Sequence, residues 1–269
     1  MRTVISKDGT PIAFDQSGQG PAIILISGAS ATRVDAAPLA TALAPDFTVF
    51  AYDRRGRGES GDTFPYAVER EVEDIDALID EAGGSAFVFG HSSGAVLALE
   101  AARLIPTRIT KLAVYEPPFI LDASRAPAPE DYAQHLTELA ASGHRGEAVE
   151  YFMTVVGGPA EMVAMMRQSP MWPGLEAIAP TLAYDATVMG NTMRGDPTSL
   201  STWASVPVPT LVMDGTVFFG REEGHAFLRH GADEIASILP NAQRRTLEGQ
   251  DHGAAPDLLA AALKAFFIG

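Results

Sequence analysis

The chain has 269 residues, 46% of them hydrophobic and 20% charged, with 34 acidic against 19 basic side chains, a formal charge of −15 and no cysteine. That composition is ample for a sizeable core. The acidic balance excludes nucleic acid and anionic membrane surfaces as partners, since both are bound through basic patches. The missing cysteines exclude disulfides and cysteine catalysis and deprive a soft metal of its usual ligands.

No apolar run reaches the roughly 18 residues needed to cross a bilayer. Met1-Arg2-Thr3-Val4 lacks the apolar stretch of a secretory leader, so the expectation is a cytoplasmic chain with no membrane partner. Val4-Ile5-Ser6 and Pro11-Ile12-Ala13-Phe14 flank Asp8-Gly9, a hairpin turn signal. Ala22 to Ser27 and Phe47 to Tyr52 are continuously apolar, as strands buried on both faces are. Ser85 to Phe89, Lys111 to Tyr115 and Thr210 to Met213 read the same way, and Arg244 to Glu248 reads as a last strand. Between them, Glu69 to Ala82 places Val72, Ile75, Leu78 and Ile79 on one helical face. Ala95 to Leu104 is a second helix, stopped by Pro106, and Pro256 to Phe267 closes the chain with proline in a first turn. Such alternation implies crossover connections and a mostly parallel sheet of eight strands, with the N-terminal hairpin as its antiparallel edge.

One stretch breaks the rhythm. Residues 117–206 show helical patterns (Glu130 to Ala141, Gly146 to Val156, Ala160 to Arg167, Leu175 to Met189) and no strand. The expected organisation is therefore an α/β core of residues 1–116 and 207–269 with a helical cap, 117–206, inserted after strand six. Seven of the nine methionines fall in that insert. Because methionine adapts to irregular ligands, Met153, Met166 and Met189, with Trp172 and Trp203 and with Phe218 from the core, are candidate walls of an apolar pocket.

Phe89-Gly90-His91-Ser92-Ser93-Gly94 follows a strand and opens a helix, the setting that a G-x-S-x-G elbow requires. A nucleophile on so sharp a turn needs small residues two before and two after it, and Gly90 and Gly94 supply them. The turn lifts Ser92 above the carboxyl ends of the strands, where open α/β sheets bind ligands. The helix starting near Ser93 puts a positive dipole end beneath developing negative charge. His91 is adjacent to Ser92 but points away from it, as scaffold.

With these motifs in hand, the chain resembles the α/β-hydrolase superfamily over its whole length, insert included. Ile26-Ser27-Gly28-Ala29 is similar to that family's His-Gly loop after the third strand, with Ser27 where histidine is frequent. Asp53-Arg54-Arg55-Gly56-Arg57-Gly58-Glu59-Ser60 is similar to its D-x-R-G-x-G-x-S turn, read here as structural and not as a nucleotide fingerprint. The resemblance implies Ser92 as nucleophile and the backbone N–H groups of Ala29 and Ser93 as oxyanion hole.

Among six histidines, His252 lies in the loop after the last strand, Gly249-Gln250-Asp251-His252-Gly253, where a base can reach Ser92. His135, His144, His225 and His230 fall in polar helical patterns and are expected to be solvated. Many family members carry the acid as G-x-x-D after the seventh strand, but Gly215-Thr216-Val217-Phe218 ends in phenylalanine. Some relatives, certain haloalkane dehalogenases among them, use a glutamate directly after strand six, and here that place is Glu116, followed by Pro117-Pro118. Glu116 is thus the expected acid, Asp214 the alternative, and Asp251 is expected to point elsewhere.

A serine nucleophile with an oxyanion hole implies cleavage of a carboxylic ester or lactone of a small-to-medium lipophilic substrate, with no metal or organic cofactor required. Two rivals stand: C–C bond hydrolysis or cofactor-free perhydrolysis on the same residues, and a small-molecule receptor with slow or no turnover. The sequence leaves open whether the chain forms a homo-oligomer.

Overall fold

The computed structural model describes residues 1–221 and 223–269. Its centre is one eight-stranded sheet built from β1 (Arg2–Ile5), β2 (Pro11–Ser17), β3 (Ala22–Ile26), β4 (Thr48–Tyr52), β5 (Ala86–His91), β6 (Ile109–Tyr115), β7 (Thr210–Asp214) and β8 (Ala242–Thr246). The strand order is β1-β2-β4-β3-β5-β6-β7-β8. β1 pairs antiparallel with β2, and β2 with β4; every later pairing is parallel. This is the mostly parallel sheet with an antiparallel edge that the strand-helix alternation predicts, and the α/β-hydrolase fold that the resemblance implies.

The runs without alternation are apolar on both sides because helices cover both faces of the sheet. α1 (Ala37–Leu43) and α10 (Pro256–Phe267) pack on one face around Phe47, Phe87 and Leu211. α2 (Val68–Glu81), α3 (Ser93–Leu104) and α9 (Ala226–Ile238) pack on the other around Ile24, Val88 and Val114. Ile23 and Ile24, neighbours in β3, are both fully buried, one to each face. Burying each such side chain contributes roughly 1.5–3 kcal/mol.

Two boundaries differ from the sequence expectation in ways that matter for the site. β5 runs on through Gly90 to His91, so the strand carries the chain directly to Ser92. β8 lies earlier, at Ala242–Thr246, with alternating exposure at the sheet edge, which lengthens the loop that ends in His252.

Between β6 and β7 the described chain holds α4 (Tyr132–Ala141), α5 (Arg145–Val155), α6 (Ala160–Arg167), α7 (Trp172–Ile178) and α8 (Leu182–Met189). The expected single helix from Leu175 to Met189 is two helices. Pro180 lies in a short 3-10 turn, Ala179–Thr181, that separates α7 from α8, because proline cannot donate the interior hydrogen bond. Among the described residues no helix is long and apolar enough to cross a membrane.

Candidate active site

Ser92 occupies the turn between β5 and α3 with φ 56° and ψ −126°, backbone that a side chain adopts at a cost of order 1–3 kcal/mol. The surroundings show why glycine flanks it. A Cβ on Gly90 would lie 2.4 Å from the Gly94 carbonyl oxygen, and one on Gly94 would lie 2.4 Å from that of Ile26. One on Gly28 would lie 2.9 Å from the Ser92 Cβ, so the loop after β3 rests against Ser92. The Ser92 N–H donates to the Tyr115 carbonyl at 3.0 Å, which ties the turn to the end of β6.

The next residue after β6 is Glu116, itself at φ +49° and fully buried. Its N–H is held by the Met213 carbonyl at 2.9 Å. Its Oε2 lies 2.6 Å from His252 Nδ1, which leaves Nε2 as the imidazole nitrogen available to a hydroxyl. Its Oε1 accepts from the Gly215 N–H at 2.8 Å and lies 2.9 Å from His225 Nε2. Burial pushes the Glu116 carboxyl up, but the hydrogen bonds from His225 and His252 outweigh it and hold it down at about 2, so it is a carboxylate at neutral pH.

His225 therefore corrects the sequence expectation: it is 2% exposed and bound to Glu116, not solvated. Asp214, the alternative acid, is engaged elsewhere. It ends β7 with its Oδ1 accepting from Arg244 Nη1 at 2.8 Å and with Arg229 3.6 Å from Oδ2. Asp251 turns its carboxylate onto the N–H groups of Phe219, Gly220 and His252. His91 keeps its Nε2 2.8 Å from the His252 carbonyl, a backbone restraint on the loop. Burial, with the neighbouring His252, lowers its pKa to about 3, so the ring is neutral and donates that bond.

A cavity of about 250 Å3 opens over Ser92 and His252. Its walls include Ala29, Ser93, Met153, Met166, Met189 and Phe218, and Phe218 meets the His252 ring edge-on at 5.8 Å. Two expected wall residues lie elsewhere. Trp172 is buried beside Gly146, under α5, and Trp203 stacks on Phe119 while its Nε1 donates to Glu100. Both indoles pack the insert, and that accounts for their burial away from the cavity. Met193, another methionine of the insert, lines the cavity too, as does Arg125, which the sequence did not mark.

The sequence reading also passed over Asp185 of α8, which lines the same cavity at 3% exposure. Its Oδ1 accepts from Ser93 Oγ at 2.7 Å and Arg54 Nη1 at 2.7 Å, and its Oδ2 from Arg57 Nη2 at 2.6 Å. Burial raises its pKa, but the charges of Arg57 and Arg54 prevail and lower it overall. Arg54 forms a further bidentate pair with Glu71, both bonds at 2.7 Å. A signal was present: one carboxylate in the otherwise apolar stretch Leu182-Ala183-Tyr184-Asp185-Ala186, matched by three closely spaced arginines after β4.

A strained serine between strand and helix, an imidazole held by a buried carboxylate and an apolar cavity above them define a hydrolase-type site on a hydrolase-type fold. The sequence model of the alpha/beta hydrolase family matches residues 23–262, and the chain belongs to that family. It is 55% identical to an alpha/beta hydrolase from Sphaerobacter thermophilus whose crystal structure superposes with a TM-score of 0.89, covering 99% of this chain and 100% of that one. Over 148 residues it is 29% identical to the hydrolase YraK of Bacillus subtilis, 53% of either chain. Over 82 residues it is 33% identical to the lipase LipV of Mycobacterium tuberculosis, 30% of this chain and 31% of that protein. These two matches thus span about half and about a third of the relatives' own lengths.

Proposed function

We propose that this chain is a serine hydrolase that cleaves a carboxylic ester or lactone of a small-to-medium, largely apolar substrate. The observation that carries the reading is the 2.6 Å contact between His252 Nδ1 and the buried Glu116, with Ser92 on its strained turn facing the same cavity. In this reading His252 Nε2 takes the Ser92 proton as Oγ attacks the carbonyl. The Ala29 and Ser93 N–H groups receive the oxyanion, and His252 returns the proton to the leaving alcohol. Water, deprotonated by the same imidazole, then releases the acyl group. Glu116 fixes the Nε2-basic tautomer and stabilises the imidazolium. The likeness to a lipase over 82 residues is in keeping with ester chemistry. The apolar wall of Met153, Met166, Met189 and Phe218 favours an acyl or alkyl group without charge.

The test is hydrolysis of a chain-length series of p-nitrophenyl esters, together with labelling by a fluorophosphonate. Wild type should turn over and be labelled at one residue; Ser92→Ala should do neither. Labelling without turnover of any ester would favour the receptor reading.

A further inference from the structure

The Asp185 network meets the serine turn through the Ser93 hydroxyl, and the acid-base chemistry above makes no use of it. Resting on the proposed serine mechanism, we infer that Arg57 and Asp185 are positioning residues for the oxyanion hole, and that the helical insert thereby completes the catalytic machinery of the core.

The geometry is specific to the two donors. Arg57 Nη1 donates to the Gly28 carbonyl oxygen at 2.7 Å. That oxygen and the Ala29 N–H belong to one planar trans peptide unit and point in opposite directions. Fixing the oxygen from behind fixes the direction of the N–H toward the cavity. A charge-assisted bond at the carbonyl also polarises the amide and makes its N–H a stronger donor. The other donor is treated in parallel: Ser93 is buried, and its hydroxyl is anchored on Asp185 Oδ1 at 2.7 Å, which pins the residue whose N–H opens α3. Arg57 Nη2 bonds Asp185 Oδ2, so a single carboxylate from α8 braces both donors.

The charges have the sign this requires. Asp185 lines the cavity and, unpartnered, would repel a developing oxyanion. Arg54 and Arg57, both about 1% exposed, neutralise it together with Glu71, which takes the remaining charge of Arg54, and the Arg57 guanidinium is the charge in contact with the Gly28–Ala29 peptide. Arginine is needed at position 57 because its fork reaches a backbone carbonyl and a carboxylate at once, which an ammonium on a single stem does not.

Ser93→Ala, Arg57→Lys and Asp185→Asn are compared with wild type for kcat and KM on p-nitrophenyl butyrate and for inhibition by butylboronic acid, which forms a tetrahedral adduct on the serine. Losing one oxyanion donor outright costs about 100- to 1,000-fold in kcat, so misaimed donors should cost no more than the lower end of that range. The expected result is a kcat lower by about 10-fold in Ser93→Ala and by about 100-fold in the other two. KM should stay within about 3-fold, and boronic acid affinity should fall alongside kcat. The inference is overturned if the folded variants keep boronic acid affinity within about 3-fold of wild type, whatever happens to KM. Should the two charge variants fail to fold, Ser93→Ala, which leaves the ion pairs whole, decides by itself. The underlying mechanism fails separately, if Ser92→Ala retains ester turnover; it survives if only the three positioning variants behave as wild type.

Discussion

Glu116 and Asp185 make a natural pair for comparison. Each is a buried carboxylate in the neighbourhood of Ser92, and each is divided among three donors, with one oxygen taking two bonds and the other taking one. The donors differ. Glu116 faces two imidazoles and a backbone N–H; Asp185 faces two guanidiniums and a hydroxyl. Imidazole gains and loses its proton in the range where enzymes work, whereas guanidinium keeps its charge throughout. On the proposed mechanism, near-identical geometry therefore yields a side that handles a proton and a side that holds a fixed field. The chain location differs too: Glu116 belongs to the end of β6, while Asp185 arrives from α8 of the insert.

The sharpest way to break this comparison is to remove the charge of each carboxylate in turn. Glu116→Gln should lower kcat by roughly 10,000-fold, because the amide favours the wrong imidazole tautomer and leaves the imidazolium without a counter-charge. A loss below about 100-fold would assign the acid role elsewhere. Asp185→Ala should show chiefly as instability. Leaving two buried guanidiniums with one carboxylate costs about 3–5 kcal/mol, seen in a calorimetric scan as a midpoint lower by roughly 10 °C. An unchanged midpoint would mean that the network holds nothing together.

A smaller effect separates the two histidines on Glu116. His225→Leu should lower kcat by about 10-fold, since a hydrogen bond to a charged group contributes roughly 1.5–3 kcal/mol. It should also move the acid limb of the pH-rate profile to higher pH, because a carboxylate with fewer donors holds the His252 proton more strongly. A profile that stays in place would make His225 a packing residue only.

The smallest effect is on stability against pH. His91 is held down at about 3 from its ordinary 6.5, so the stability it supports is complete above pH 6.5 and is lost as pH falls through that value toward 3. Glu116, held at about 2 against 4.5, contributes stability present above pH 4.5 and lost as pH falls toward 2. Asp185 is lowered from 3.8 and responds only below that. Urea melts at pH 7, 5.5 and 4 should thus show a decline that His91→Asn flattens and Asp185→Asn leaves intact. Equal flattening by both would erase the distinction between the two sides.

Much of this was legible beforehand, for identifiable reasons. Parallel strands buried on both faces announce themselves as unbroken apolar runs, and the elbow declares itself through Gly90 and Gly94, whose missing side chains make room for close backbone. Glu116 could be singled out because Phe218 stands where a carboxylate is frequent and Pro117-Pro118 marks the exit from β6. What escaped was whatever depends on a distant partner. His225 sits among polar neighbours, and nothing local says that it turns inward to Glu116, 109 positions away. Asp185 meets Arg57 across 128 positions. The tryptophans misled in the opposite way, since a large aromatic side chain fills an interhelical gap as readily as it walls a cavity. The backbone keeps its own record of the site: among the described residues, the non-glycine positions with positive φ are Ser30, Ser92, Glu116 and Phe219, all at or directly behind the cavity.

The bond from Arg57 to Asp185 also bears on how such a protein can be re-engineered. Inserts between β6 and β7 invite exchange as cassettes, one specificity traded for another on a constant scaffold. Here the junction is electrostatic as well as covalent, because the scaffold presents two buried guanidiniums against one carboxylate of its own, Glu71 on Arg54, and the carboxylate that balances the second arrives at position 185. A chimera that matches the seams at 117 and 206 but lacks that carboxylate would inherit a new pocket and a defective catalyst together, whereas one that keeps it leaves the remainder of the insert open to diversification.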